Sequence, residues 1–358
     1  MNASAAPLVR WFEHLALGDR PSVGGKGASL GELTQAGIPT PRGFVVTTAA
    51  FLTMLDEVDA TGALRAAVAQ QHPDDLEELA SASAALRTRI EAATLPAALA
   101  AQIAAAYTEL SGGDTTLPVA VRSSATSEDS AEASFAGLQD THLWVRGGDA
   151  IDAALRACWG SLYSVESVSY RRRLGLAEDN VAMAVVIQKM VRSRASGVMF
   201  TRSPTTGDRS VIAIEGSWGL GSCIVSGEVT PDRFTVNKVT GEIRERTLSE
   251  KLLRHVPEES GGIRSEAVPA DQQKVACISD VELRTLVDVA RNIERHYGSP
   301  QDIEWAIADE EGSGARVYLL QSRPETVWAQ RAQTPVATPR ASAFDHVLAV
   351  LGGRKAGP

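Results

Sequence analysis

The sequence is short of several things, and each shortage narrows its reading. Cysteine occurs only 3 times, at Cys158, Cys223 and Cys277. With no CxxC pair and an odd count, neither a zinc site nor a disulfide framework is indicated, and buried structural thiols are expected. Positive charge is outnumbered, 35 Lys and Arg against 44 Asp and Glu, for a formal charge of -9. That balance argues against nucleic acid as a partner, because a phosphate backbone is bound through an excess of cations. No apolar run reaches the roughly 18 residues of a membrane span, and the opening residues lack a basic segment followed by a long apolar one. A cytoplasmic chain with no membrane partner is expected. Aromatic residues are sparse at 5%, yet 44% of the 358 residues are hydrophobic, enough for a core and contrary to intrinsic disorder. No repeat of solenoid period is visible.

What is present divides into two textures. Over 60–107 the apolar residues recur at three- and four-residue spacing among Ala, Glu, Gln and Arg, with breaks at His72-Pro73 and Leu95-Pro96, which predicts two or three helices. Short β-rich runs bounded by Gly, Pro, Ser or Asp then follow at 117–121, 182–187, 197–200, 211–214, 233–236, 303–307 and 317–320. Helical stretches lie between them at 149–163 and 280–297, the second opening on Ser279 and Asp280 as caps and closing near Gly298. The pattern predicts an α+β fold. Residues 328–358 read as a linker leading to a short amphipathic helix at 344–351, or as a disordered tail.

Some segments carry polar residues in arrangements suited to phosphate. In Val23-Gly24-Gly25-Lys26-Gly27-Ala28-Ser29, paired glycines let backbone approach a ligand and a lysine sits at a helix start, although the GxxxxGK[ST] spacing of a P-loop is absent. By itself such a turn is more often a helix start with a solvated lysine. The strand 119–121 delivers Arg122 at its end, and a run of small hydroxyl residues follows, continuing to Ala133-Ser134-Phe135-Ala136-Gly137. Such a loop offers many N–H and O–H donors with little bulk, as a lid over a polyphosphate needs. In Asp302-Ile303-Glu304-Trp305 alternation puts both carboxylates on one strand face, and Gln321 and Arg323 share a face of the next strand. If the strands pair across a turn at 310–314, Glu304 and Gln321 are neighbours, a carboxylate beside an amide oxygen, which suits Mg2+ also held by phosphates.

Taken together and in this order, these segments resemble the nucleotide-binding domain of the phosphoenolpyruvate synthase and pyruvate phosphate dikinase family, which includes rifampicin phosphotransferase. The resemblance covers 15–326 and implies an ATP-grasp fold, two α+β lobes clamping ATP. The lobes are expected at 1–185, with the helical insert and phosphate loops, and at 186–327. It makes Lys26, Arg122 and Arg323 phosphate ligands with a catalytic role, and Ser134, Ala136 and Gly137 part of the loop over the phosphates. Gln188, Met190 and Val191 would line the adenine pocket, and Glu304 and Gln321 would bind Mg2+. The run Glu215-Gly216-Ser217-Trp218-Gly219-Leu220-Gly221 also resembles a family signature, without an assignable chemistry for each residue.

In that family the β-phosphoryl group of ATP passes to a histidine on a mobile domain, marked by Gly-Gly and then Thr-Ser-His. None of the 6 histidines here sits in such a context. Too few residues follow Arg323 for that domain or for an acceptor-binding barrel. The resemblance therefore implies a split phosphotransferase, with a separate phosphohistidine-domain partner and a small acceptor bound elsewhere. Phenylphosphate synthase is organised in a similar way, with a phenol as acceptor. The alternatives are a nucleotide-binding regulatory subunit without transfer activity and an ATP-grasp ligase that forms ADP.

Overall fold

The computed structural model describes residues 6–71, 75–126, 140–173, 181–310, 314–326 and 328. Met1–Glu325 form one compact unit, distinct from Thr326–Pro358. The chain opens with β1 (Val9–Trp11), α1 (Arg20–Gln35) and β2 (Gly43–Val46), followed by four helices, α2 (Thr48–Val58), α3 (Ala63–Gln70), α4 (Leu76–Ala92) and α5 (Ala97–Ser111). Strands β3 (Val119–Ala125) and β4 (Thr141–Val145), helices α6 (Gly148–Ser161) and α7 (Val165–Arg173), and β5 (Met183–Lys189) complete the first half. The second half runs β6 (Ala195–Phe200), β7 (Val211–Trp218), α8 (Ser222–Val225), β8 (Asp232–Asn237), β9 (Ile243–Thr247), β10 (Leu253–Pro257) and β11 (Ile263–Ala267). It ends with α9 (Asp280–Tyr297), β12 (Gln301–Glu310) and β13 (Gly314–Pro324).

The local signals act where the sequence puts them. Helices α3, α4 and α5 are separated at the two proline breaks, and the Asp75 side chain caps α4 by accepting the Glu78 N–H. Ser279 and Glu282 form a reciprocal capping box on α9, and Gly298 closes it at φ 67°. The apolar spacing of α9 turns Leu283, Leu286, Val287 and Ala290 onto one buried stripe.

Two antiparallel sheets result. The first has the order β1-β2-β5-β3-β4 and the second β13-β12-β6-β7-β8-β9, while β10 and β11 form a separate two-stranded sheet. The expected lobe boundary at 185/186 falls inside β5, which pairs along its whole length with β3. The chain therefore changes sheets later, between Lys189 and Ala195, because the apolar run continues through Ile187 and its ladder with β3 through Lys189.

Each sheet packs a helical layer on its outer face. In the first, Val121, Val185 and Ile187 meet Phe51, Leu155 and Trp159 from the helices. In the second, Ile303, Trp305 and Ile307 meet α9. On the inner side, Val23, Ala28 and Leu30 of α1 pack on Val45, Ala184 and Val186 of the first sheet, while Leu33 joins the core of the second. Helix α1 is thus the wedge between the sheets. Ser29 Oγ donates to the Ser322 carbonyl at 2.6 Å and His296 Nε2 sits 2.7 Å from Glu32 Oε1, which fixes α1 to β13 and α9. Among the described residues no single helix is long and apolar enough to cross a membrane.

Candidate functional site

The glycine turn and β3 are built around each other. Gly24 has φ 70° and ψ 178°, which breaks α1, and a Cβ there would stand 2.0 Å from the Ser124 carbonyl oxygen. Only glycine meets both conditions. Ser124 Oγ donates to the Val23 carbonyl at 2.8 Å and accepts the Gly27 N–H at 3.1 Å. The hydroxyl run after Arg122 therefore begins with a serine that staples the glycine turn to the sheet, a role that residue type alone does not reveal. Lys26, half-buried, enters the first regular turn of α1 beyond the break.

Two residues before Ser124 on the same strand face, Arg122 crosses to the other sheet. Its Nη2 donates to Glu304 Oε2 at 2.9 Å and to Gln321 Oε1 at 2.7 Å, and its Nη1 to the Leu320 carbonyl at 3.2 Å. Arg122 and Gln321 are buried, while Glu304 keeps 37% of its side chain exposed. Glu304 and Gln321 are direct partners in the β12–β13 ladder, as alternation and the turn predict. A register shift between Glu304 and Trp305 makes this compatible with the core: Trp305 pairs with Leu319, and Leu320 is the extra residue. The bulge keeps Leu319 in the outer core and turns Gln321 to the inner face beside Glu304.

Arg323 lies further along, with its Nε 3.5 Å from Asp302 Oδ2, the carboxylate paired with it in the ladder. Register also carries the inner face across the second sheet: Glu304 opposes Val198, Val198 opposes Glu215, and Glu215 opposes Arg233. Glu215 and Arg233 form an ion pair at 3.0 Å. Glu215 and Arg233 thus join the row that holds Glu304 and Gln321, and Asp302 lies on the same face two residues along β12. Alternation along 211–218 gives Glu215 its face, but the pairing order that aligns it with Glu304 is not a local property of sequence.

Gln188 lies beside Ala120 in the β5–β3 ladder, buried, with its Nε2 donated to the Pro41 carbonyl at 3.2 Å. Met190 and Val191 begin the linker between the sheets, half-buried. The Met190 N–H is held by the Pro118 carbonyl and the Val191 carbonyl by the Ser193 N–H. Ser134, Ala136 and Gly137 lie outside the described residues.

The oxygens of Glu304 and Gln321 converge on a single cationic nitrogen. That is a hard, oxygen-only donor pair, and among the described residues no cluster of three or more His, Cys, Asp or Glu offers a complete metal cage. Such a pair fits Mg2+, which takes one or two protein oxygens and completes its shell with water and phosphate.

Residues 20–343 match the family of the pyruvate phosphate dikinase AMP/ATP-binding domain, and the chain belongs to that family. The two-lobed α+β arrangement is ATP-grasp-like, and the domain binds adenine nucleotide. The chain is 42% identical over 320 residues to a probable phosphoenolpyruvate synthase of Methanothermobacter thermautotrophicus, covering 89% of this chain and 46% of that protein. It is 36% identical over 391 aligned residues to the phosphoenolpyruvate synthase of Pyrococcus furiosus, covering 98% and 47%. It is 38% identical over 341 residues to that of Escherichia coli, covering 91% and 43%. The chain thus spans less than half the length of these relatives.

Proposed function

We propose that this chain is the ATP-binding part of a dikinase-type phosphotransferase, delivering the β-phosphoryl group of ATP to a histidine on a separate phosphohistidine-domain protein. In the balanced step, ATP, water and the partner histidine give AMP, inorganic phosphate and phosphohistidine. The phosphoryl group then passes to a small acceptor such as a phenol, bound elsewhere, in the manner of phenylphosphate synthase. The observation that carries the reading is the meeting of Arg122 with Glu304 and Gln321 across the two sheets.

Phosphoryl transfer asks the protein mainly for position and charge. Arg122 is held by acceptors that polyphosphate oxygens can replace, so nucleotide entry exchanges one set of charge-assisted hydrogen bonds for another. Glu304 and Gln321 would then hold Mg2+, which would supply positive charge against the phosphates. Lys26 of α1 and Arg323 of β13 would add positive charge that steadies the phosphates. Met190 and Val191, with Gln188 behind them, supply an edge for adenine where the chain crosses between sheets. The partner's imidazole attacks phosphorus as a neutral nucleophile, so that part of the reaction asks no general base of this chain.

Phosphorus NMR of ATP and Mg2+ with this chain, with and without a phosphohistidine-domain protein, tests the reading. AMP, inorganic phosphate and a phosphohistidine resonance are expected only with the partner. ATP converted to ADP would support a ligase, and ATP bound but unchanged a regulatory subunit.

A further inference from the structure

The β10–β11 hairpin belongs to neither large sheet, yet it touches both. Its root is fixed in the second lobe. The Leu220 N–H donates to the His255 carbonyl at 3.0 Å, and Ser222 Oγ lies 2.7 Å from His255 Nδ1. Just before the hairpin, Lys251 makes a fully buried ion pair with Asp232 at 2.7 Å. Its tip, residues 258–262, is mostly exposed and reaches β4, the edge strand of the first sheet. There the Gly262 N–H donates to the Trp144 carbonyl at 3.0 Å, and Arg146 Nη1 donates to the Glu259 carbonyl at 3.2 Å.

The receiving residue is unusual. Trp144 has φ 60°, the one positive φ outside glycine among the described residues. It sits where the β3–β4 register shifts, between the pairs Val119–Val145 and Val121–His142, so two residues of β4 oppose one of β3. A left-handed bulge position is ordinarily a glycine's. Here the indole is buried, and its N–H has no hydrogen-bond partner among the described residues. The guanidinium of Arg192, from the linker between the sheets, lies 5.8 Å over the ring. One strained residue therefore joins the edge of the first sheet, the linker and the hairpin tip.

We propose that the β10–β11 hairpin is a strap that clasps the first sheet at Trp144 and restrains the opening of the cleft between the two sheets, so that nucleotide leaves only when the tip is released. Thr141, three residues before Trp144, is the ladder partner of Arg122, which places the clasp on the strand beside the polyphosphate end of the site. The strap rests on the proposed nucleotide site. Its restraint consists of a backbone hydrogen bond and a side-chain hydrogen bond, few enough to break in a thermal opening.

The test replaces residues 258–262 with an Asn-Gly turn, which closes a two-residue hairpin but cannot reach Trp144. Arg146→Ala is a second, milder variant that keeps the hairpin whole. Release of a fluorescent N-methylanthraniloyl ATP with Mg2+ is followed by stopped flow. Circular dichroism shows that each variant is folded. We expect release roughly tenfold faster or more in the short-turn variant, with a smaller change of the same sign in Arg146→Ala and an association rate altered much less. Equal release rates in folded variants and parent overturn the strap while leaving the nucleotide site standing. A parent chain that does not bind the probe overturns both.

Discussion

Arg122 and Glu304 stand 182 residues apart in the chain and 2.9 Å apart in the fold, on different sheets. The pair joins the lobes at the point where nucleotide phosphates are proposed to bind. A partly buried guanidinium with several acceptors is a strong local charge, and a point charge on a flexible stem does not replace its fork. Arg122→Ala is expected to lower AMP formation with the histidine-domain partner by roughly a hundredfold or more, and Arg122→Lys to fall between. Phosphorus NMR time courses measure both. Unchanged rates in Arg122→Ala would remove this residue from the site.

The glycine turn yields a prediction about stability with its own control. Gly24 and Gly37 both have φ 70°, but a Cβ at Gly24 would meet Ser124 oxygen at 2.0 Å while one at Gly37 meets nothing within 4 Å. Gly37→Ala therefore carries only the backbone penalty, about 1 kcal/mol. Gly24→Ala adds displacement of β3 and is expected to cost about 2–5 kcal/mol in all. Urea denaturation compares the two midpoints. Equal losses would mean that the close approach to Ser124 is relieved at no cost.

Much of this was legible in the sequence, and the remainder was not for identifiable reasons. The helix breaks at the prolines, the Ser279 cap and the Glu304–Gln321 pairing are local: each follows from residue type, spacing or a single turn. Strand ends were less legible, as β5 shows, since ladder pairing extends a strand past its apolar run. The contact of Arg122 with Glu304 was not legible, because nothing local to either segment specifies a contact across two sheets; the resemblance only assigned the two residues to one nucleotide site. Ser124 was read as part of a lid and proved a staple, since its role depends on a helix break 100 residues earlier, at Gly24. The tie of the Gln188 amide nitrogen to the Pro41 carbonyl was likewise not legible, because it joins segments 147 residues apart.

Acid should loosen the N-terminal end of α1. The Arg10 guanidinium bound to Asp19 at 2.6 Å, aided by the Ala16 N–H, holds the Asp19 carboxyl below the usual carboxylate range. A folded value below the unfolded one contributes stability above the unfolded value, which is lost as pH falls through the folded value. Asp19→Asn should therefore lower Tm by about 1–3 °C near pH 7, with the difference from the parent shrinking as pH falls below the ordinary carboxylate range. Calorimetric scans across that range check the sign. A difference that grows toward low pH would contradict it.

The buried pair of Lys251 and Asp232 gives the largest single-residue prediction. Both side chains are fully buried, 2.7 Å apart. The remaining acceptor capacity of Asp232 is used by the Ser249 and Cys277 N–H groups, and Lys251 also donates to the Ser249 carbonyl. The pair ties β8 to the segments on either side of the β10–β11 hairpin, so its loss is felt at the hairpin root. Lys251→Met leaves a carboxylate in the interior without its counter-charge and is expected to cost about 3–5 kcal/mol. Asp232→Asn strands the ammonium and turns an amide N–H toward a backbone donor, with a similar loss. In the double variant neither charge remains, so the combined loss should fall short of the sum by about 1–3 kcal/mol. A double-mutant cycle by urea denaturation measures that coupling, and additive losses would show that the ion pair contributes nothing beyond its separate hydrogen bonds.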